Sequence, residues 1–415
     1  MMALSLVPSL CFAFLMAYST ALFLITNLLS LLSGTHQAPF DITQQPLTLS
    51  SSFTFKLAIF SDLHYGEEEH GWGIDQDRNS TRVMRRILCA EAPDLVVLNG
   101  DLITGENTFR ENSSDYVHQI VAPMVTRGVP WASTYGNHDS KFNLSRERTF
   151  AVEKTYPLSY TQRMDGKLPG VTNYYLLLYR HGQSSMSDDP VAVLWFFDSR
   201  GGATYGLDHS DKDDIPNWVA PETAHWFRTE ASALRTKYGR VLPGVAFVHI
   251  PPVVFLSAQR KGLDPALFPG VNDDVPVAIQ GTGTEDREFV EALRDEGMLD
   301  GLHSVYVGHD HGNAWCGLFP TTELTTRRRG GNGEAPFLCF GKHTGYGGYG
   351  SWNRGSRVVQ LKFVDKNGNS DFSDPGEMEV ETWVRMESGQ IVTHVALNET
   401  YGLDRYPTAN GEPHG

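Results

Sequence analysis

The chain has 415 residues, 40% of them hydrophobic and 22 of them Phe, which is ample for a substantial core in one large domain or two. This is an ordinary globular enzyme composition. A net charge of −15 argues against nucleic acid as a partner, because a basic footprint would be expected there. The one concentrated basic run, Arg327-Arg328-Arg329, reads as a solvated loop.

Residues 1–34 contain no Asp, Glu, Lys or Arg. They read as a signal peptide or a signal anchor: the apolar stretch is long for a cleaved signal, lacks a basic start, and could span a bilayer. The expected location is the secretory pathway, secreted or anchored by that segment, with no other membrane contact. The sequons at Asn79, Asn112, Asn143 and Asn398 fit a glycoprotein behind such a segment. Residues 35–52 read as a linker, 53–400 as the folded domain and 401–415 as a tail.

The domain opens with an apolar strand, residues 57–60, running into Asp62-Leu63-His64. Residues 67–77 read as a surface loop. Val83, Ile87 and Leu88 then fall on one face of a helix over 80–92. A second strand, 95–98, runs into Asn99-Gly100-Asp101. A helix over 114–127 leads to a third, 129–134, which delivers Gly136-Asn137-His138-Asp139. A short helix near 149–155 precedes hairpin strands over 173–180 and 191–197, the latter closed by a turn at Asp198-Ser199-Arg200-Gly201. A helix over 221–238 begins with Pro at a favourable first-turn position and leads to the strand 245–248 that ends in His249. A helix over 285–295 precedes the strand 303–307, which runs into Gly308-His309-Asp310-His311. Strands over 336–340, 357–363, 379–385 and 390–397 complete the chain. Two βαβ-type halves followed by antiparallel strands predict an α/β fold, a four-layer α/β/β/α sandwich of two mixed β-sheets flanked by helices.

Beyond Cys11 only Cys89, Cys316 and Cys339 remain. That odd number permits at most one intramolecular bridge, for which Cys316 and Cys339 are the choice, leaving Cys89 as a small buried apolar residue on its helix. Cysteine catalysis is excluded from the reading, since no Cys shares a strand-end motif with a His.

Taken singly, each strand-end block has a plainer reading: a turn, a surface His, a satisfied core His. Together they place ligand-type residues at the carboxyl ends of five apolar strands, where open α/β sheets gather their sites. Asp62, His64, Asp101, Asn137, His249, His309 and His311 offer imidazole nitrogen, carboxylate and amide oxygen, and seven such groups are too many for one tetrahedral ion. Two transition-metal ions sharing one carboxylate would use them all, in the arrangement that clamps the attacking and leaving oxygens of phosphoryl transfer.

In this order, Asp-x-His, Gly-Asp, Gly-Asn-His-Asp, a lone His and Gly-His-x-His, the five blocks resemble the calcineurin-like metallophosphoesterase superfamily across about residues 55–363. The resemblance implies that Asp62, His64 and His311 hold one metal, that Asn137, His249 and His309 hold the other, and that Asp101 bridges them. It further implies that His138 sits by the phosphoryl oxygen and leaving group, oriented by Asp139. Residues 340–350 are similar to a segment in the plant and fungal branch named after purple acid phosphatases, which includes a yeast secretory-pathway phosphatase. Where purple enzymes carry a metal-bound Tyr three residues after the bridging Asp, this chain has Thr104, so no iron-tyrosinate colour is expected and Fe, Mn and Zn all remain open. In the same segment His343 and Tyr346 are candidates for a substrate rim. The expected activity is hydrolysis of a phosphate-ester substrate by in-line attack of a metal-bridging hydroxide, most simply a phosphomonoesterase. A phosphodiesterase or nucleotide hydrolase on the same core, or a non-catalytic binding glycoprotein, are the alternatives.

Overall fold

In the computed structural model, which describes residues 44–182, 189–207, 214–320, 335–364 and 377–407, the apolar runs assemble into two mixed sheets. One is built from β2 (Thr54–Phe60), β3 (Leu95–Asn99), β4 (Trp131–Thr134), β11 (Gly355–Val364), β12 (Glu377–Met386) and β13 (Ile391–Ala396), in the order β13-β12-β11-β2-β3-β4. The other takes β1 (Leu47–Thr48), β5 (Tyr174–Tyr179), β6 (Ala192–Phe197), β7 (Gly244–Val248), β8 (Ser304–Val307), β9 (Cys316–Gly317) and β10 (Phe337–Phe340), in the order β1-β5-β6-β7-β8-β10-β9.

Alternation along each strand sorts side chains between layers. Leu57 and Ile59 of β2 and Leu95 and Val97 of β3 join the core shared with the second sheet. Phe60, Val96 and Leu98 turn the other way, onto Val83, Met84 and Ile87 of α1 (Trp72–Glu91) and Val117 and Ile120 of α2 (Tyr116–Arg127). In the second sheet, Trp195 and Phe197 meet Phe227 and Phe289 edge-on at 4.8 and 4.9 Å, while Phe196 stacks on Tyr174 at 4.5 Å. Those edge-on partners come from α4 (Pro221–Tyr238) and α6 (Arg287–Met298), so helices flank both sheets, as the sequence predicts.

Strand direction then fixes where the loops meet. β2, β3 and β4 are mutually parallel, with Phe60 opposite Leu98 and Asn99 opposite Thr134; β6, β7 and β8 are parallel too, with Phe197 opposite Val248 and Phe247 opposite Tyr306. Their carboxyl ends therefore lie level.

Several sequence expectations need correction. Helix α1 begins at Trp72, so much of 67–77 is helix rather than loop; its first turns carry Asp75, Gln76 and Asp77, and that polarity hides the helical period. Cys89 is exposed, because it lies one residue, about 100° of helix, past core-facing Leu88. Helix α5 (Val253–Arg260) follows Pro251-Pro252, which reads as a breaker in sequence but sits just before the first turn, where a proline costs no hydrogen bond. Order begins before Phe53: Leu47 and Thr48 pair in parallel with Leu178 and Tyr179. Order also continues beyond residue 400, since Tyr401 is buried and donates its hydroxyl to the Cys316 carbonyl at 2.9 Å. Cys316 and Cys339 sit opposite each other on β9 and β10 and form a disulfide. Residues 1–43, most of the 182–190 turn and the 327–329 basic run lie outside the described residues. Among the described residues no helix is long and apolar enough to cross a membrane.

One buried carboxylate ties β4 to its surroundings. Glu153, at the end of α3 (Arg146–Glu153), accepts from Trp131 Nε1 at 2.8 Å, Ser133 Oγ at 2.7 Å, Tyr135 Oη at 2.8 Å and Ser159 Oγ at 3.2 Å, and also from Thr161. Replacing it by Leu strands these buried donors, each costing about 1–3 kcal/mol. Glu153→Leu is therefore expected to lose at least ~3 kcal/mol; a denaturant midpoint within error of the parent would show that the donors find other partners.

Candidate metal centre

Two clusters of ligand-type atoms form where the level strand ends meet. Asp62, His64 and His311 make one and Asp101, His249 and His309 the other, with the ligand atoms of each cluster within 4.8 Å of one another. Asp62, His64, Asp101 and His309 all have positive φ, at 57°, 48°, 49° and 74°. Non-glycine residues rarely adopt that conformation, and here it turns the chain abruptly so that a side chain leaving a strand end points back over the sheet edge. Sequence gives no sign of this. Two glycines make room: a Cβ on Gly100 would lie 2.4 Å from the His249 ring, and one on Gly136 2.2 Å from the Asp101 carboxylate.

The imidazoles are aimed by their outward nitrogens. His249 Nδ1 donates to the Asn99 carbonyl at 2.8 Å and His311 Nδ1 to the Tyr349 carbonyl at 2.8 Å, leaving Nε2 of each toward the centre. His64 Nδ1 lies 3.0 Å from Thr104 Oγ1. Thr104 thus orients a histidine. His64 Nε2, Asn137 Oδ1 and His309 Nδ1 are buried with no hydrogen-bond partner. Groups of this kind are costly to bury unsatisfied; those of His64 and His309 belong to the two clusters, and Asn137 precedes His138, whose N–H donates to Asp101, so all three fit a metal centre.

Electrostatics agree. Burial lowers the pKa of His64 and of His309 to about 3 and pushes His311 well below the usual imidazole range, so all three are neutral and able to ligate. Burial also works to lower His249, but the charge of Asp101, 2.9 Å away, and that of Asp62 outweigh it and raise its pKa to about 9. Burial raises Asp62 to about 7. A pair of buried carboxylates that draws a proton onto a neighbouring imidazole is a site that calls for cations.

His138 stands beside this centre, its ring 4.9 Å from that of His64 and its backbone N–H donating to Asp101 Oδ1 at 2.8 Å. The residue that orients it differs from expectation. Asp139 is buried and accepts from the backbone N–H groups of Leu102 at 2.9 Å, Ile103 at 3.0 Å and Gly136 at 2.8 Å, so it locks two ligand loops together. The partner of His138 Nδ1 is Glu106 Oε1 at 2.7 Å, and Lys141 Nζ lies 2.8 Å from the same oxygen. Although burial opposes it, the charges of Asp101 and Glu106 raise the His138 pKa. Glu106 follows Asp101 by five residues in a turn without strand or helix periodicity, and only its spacing from that block could have drawn attention to it.

The expected rim is also redrawn. His343 is 1% exposed, its ring tilted behind that of His311 at 3.9 Å with Nε2 on the Gly347 carbonyl, and is buried rather than on a rim. Tyr346 lies to one side, its hydroxyl donating to Glu387 at 2.7 Å. The aromatic on the ligand shell is Tyr349, stacked on His311 at 4.0 Å and 49% exposed. Asp198 is buried and pairs with Arg146, 3.2 Å away, which braces the Gly136 and Gly201 carbonyls. Of the sequon asparagines, Asn398 is exposed; Asn79, Asn112 and Asn143 are half-buried, Asn79 within α1 and Asn143 donating to the Thr108 carbonyl at 2.8 Å.

The family model described as calcineurin-like phosphoesterase matches residues 55–313, which include all seven ligand positions. The chain belongs to the calcineurin-like phosphoesterases. Within that family it is similar to the Arabidopsis thaliana protein named probable inactive purple acid phosphatase 29, with 27% identity over 85% of this chain and 87% of that one. It is also similar to Phosphatase DCR2 of Saccharomyces cerevisiae, with 27% identity over 67% of this chain and 47% of that one. A solved dimetal phosphatase from Danio rerio aligns with a TM-score of 0.47 at 13% identity, over 83% of this phosphoesterase chain and 99% of the other.

If Glu106 holds His138, Glu106→Gln should lower turnover by about 10-fold with little change in stability, as is usual when an outer carboxylate is neutralised. A Glu106→Gln chain as active as the parent across the pH range would remove Glu106 from the reaction.

Proposed function

We propose that this calcineurin-like phosphoesterase is an active phosphomonoesterase that uses two transition-metal ions. The observation that carries the reading is the donor set: Asp62, His64 and His311 form one cluster and Asp101, His249 and His309 another, and buried polar atoms of His64, His309 and Asn137 have no protein partner. The name of the Arabidopsis relative raises the alternative of an inactive fold, which loss of a ligand would favour. Here Asp62, His64, Asp101, His249, His309 and His311 are clustered, and Asn137 lies in the turn whose His138 N–H donates to Asp101. Asp62, His64 and His311 would hold one ion and Asn137, His249 and His309 the other, with Asp101 shared.

When bound, two such ions supply an activated water near neutral pH and positive charge against the ester's free oxygens. The chain's own residues do the rest. His138, with Nδ1 fixed on Glu106, keeps Nε2 to hydrogen-bond the phosphoryl group and give a proton to the leaving oxygen, and its raised pKa favours the protonated form this needs. Asp139 keeps Asp101 and Asn137 in fixed relation by binding the loops that carry them. Inversion at phosphorus follows from a single in-line displacement. Action on a diester is the second reading, since the same core could serve both and the cleft wall decides.

Export belongs to the same proposal, supported by the uncharged residues 1–34 and by the Cys316–Cys339 disulfide, a bond that persists in oxidising compartments.

Elemental analysis of the purified chain is expected to give two ions of Fe, Mn or Zn, and chelation to lower its melting temperature as well as its activity, since an ion bound only by the folded state stabilises it. His138→Ala should retain both metals and lose about 100-fold or more in hydrolysis of a phosphomonoester. A parent chain that takes up no metal and cleaves neither a monoester nor a diester would leave the binding-protein alternative standing.

A further inference from the structure

A groove flanks the metal cleft on the side of β12 and β13. Strand register puts it at the same edge: Gly355 pairs with Met386 and Arg357 with Ile59, so the β12–β13 turn and the start of β11 lie beside the place where β2 gives way to Asp62. The wall between cleft and groove is the glycine-rich loop 341–350. On the cleft side it has no room for side chains, since a Cβ on Gly347 would lie 2.3 Å from the His64 carbonyl and one on Gly348 2.3 Å from His311 Cε1. On the other side Tyr346 and the residues after Gly350 line a cavity of about 730 Å³, together with Arg86, Trp352, Arg354 and Glu387. From Gly348, which lies against His311, to Gly350, which lines the cavity, the chain spans no more than about 7 Å.

The charge of this groove runs against that of the molecule. In a chain of net charge −15, the guanidinium groups of Arg86 and Arg354 line it with a single carboxylate, Glu387, with which Arg82 also pairs from beside the groove. Arg82 lies 2.9 Å and Arg86 3.5 Å from Glu387, while Arg82 and Arg354 sit 5.7 and 5.4 Å from the centroid of the Tyr346 ring. Arg354 is 7% exposed and held in place by the Gly350 carbonyl at 3.0 Å and by that of Trp352. Arg86 is the free arm of the set: its side chain is 58% exposed and its contact with Glu387 is the longest. Guanidinium groups match the geometry of phosphate and carboxylate, and the excess positive charge leaves room for one more anion.

We infer that this groove receives a second anionic group, phosphate or carboxylate, carried on the leaving group of a substrate whose scissile phosphate lies at the metal centre. The inference rests on the phosphomonoesterase reading and names its substrate class: esters with two separated anionic ends. Arg86 acts on affinity for the distal end and takes no part in the displacement at phosphorus.

The test compares compounds that differ only at the distal end, using the full metal-loaded chain. Hexyl phosphate, 6-phosphooxyhexanoate and hexane-1,6-bisphosphate serve as substrates; hexylphosphonate and hexane-1,6-diphosphonate, which are not cleaved, serve as ligands in calorimetry. The parent should favour the doubly anionic compounds, in KM and in Kd, by about 5- to 10-fold over the singly anionic ones, the size expected of an exposed charge at a rim. Arg86→Gln should remove that preference, and Arg86→Glu reverse it, with kcat for hexyl phosphate unchanged. The relative gain of the carboxylate and the bisphosphate tells which anion the groove prefers. Turnover of hexyl phosphate without any preference would overturn the groove and leave the phosphatase standing. A preference in calorimetry that Arg86→Gln abolishes, with no turnover of any ester, would leave the groove standing and overturn the phosphatase.

Discussion

Two carboxylates, Asp62 and Asp101, are buried side by side at the edge where the two sheets meet, and the site is organised around them. Each is 2% exposed, in surroundings where an unpaired negative charge is strongly disfavoured. The protein answers with four imidazoles, three of which burial keeps neutral, and with backbone N–H groups from His309 and His138 that donate to the carboxylates at 2.9 and 2.8 Å. The fourth, His249, is drawn toward protonation by the same carboxylates, its pKa raised to about 9. Buried carboxylates that compete for a proton in this way suit a centre for cations, and Asp62, His64, Asp101 and His309 around it all hold left-handed backbone conformations.

Holding that arrangement together is the work of residues that touch no ligand atom. Thr104 and the carbonyls of Asn99 and Tyr349 fix the ring orientation of three histidines. Asp139 uses both oxygens on backbone N–H groups of two ligand loops, and Arg146, paired with Asp198, braces the same Gly136 turn from the second sheet. Glu153 does likewise for the strand that leads into it. The binding centre is thus one cooperative polar network laid over an apolar sandwich, and its rigidity comes from the network as much as from the core.

The glycine-rich loop 341–350 separates two chemistries. Toward the cleft it packs backbone directly onto His64 and His311, which only glycine allows. Away from it, Tyr346 is clasped between arginines, and Tyr349 caps His311 while its hydroxyl donates to Asp274 at 2.6 Å. A loop so tightly seated is a fixed wall, and the character of what reaches the candidate metal centre depends on what that wall presents on each side.

Much of this was legible in the sequence. Apolar runs ending in Asp, Asn or His marked the strands and the ligands at once, because a strand's period of two and the chemistry of metal donors are both local properties of residue type. The pairing of Cys316 with Cys339 and the extent of α4 were equally readable. What sequence order could not supply were relations between residues brought together only by packing. Cys89 lies on a solvent face because of its angle around α1, and α1 itself starts early under a polar surface that conceals its period. The partner of His138 is Glu106 rather than the adjacent Asp139, since a neighbour in sequence at a sharp turn points its side chain elsewhere. His343 is a buried support and not a rim, because β10 and the loop after it run beneath His311. The sequence by itself thus determined the two-sheet fold and the ligand-type residues at its strand ends, both consequences of local pattern. Only the tertiary structure decided which residues orient the donors and which line the approach, because hydrogen bonds and burial between distant segments have no signature along the chain.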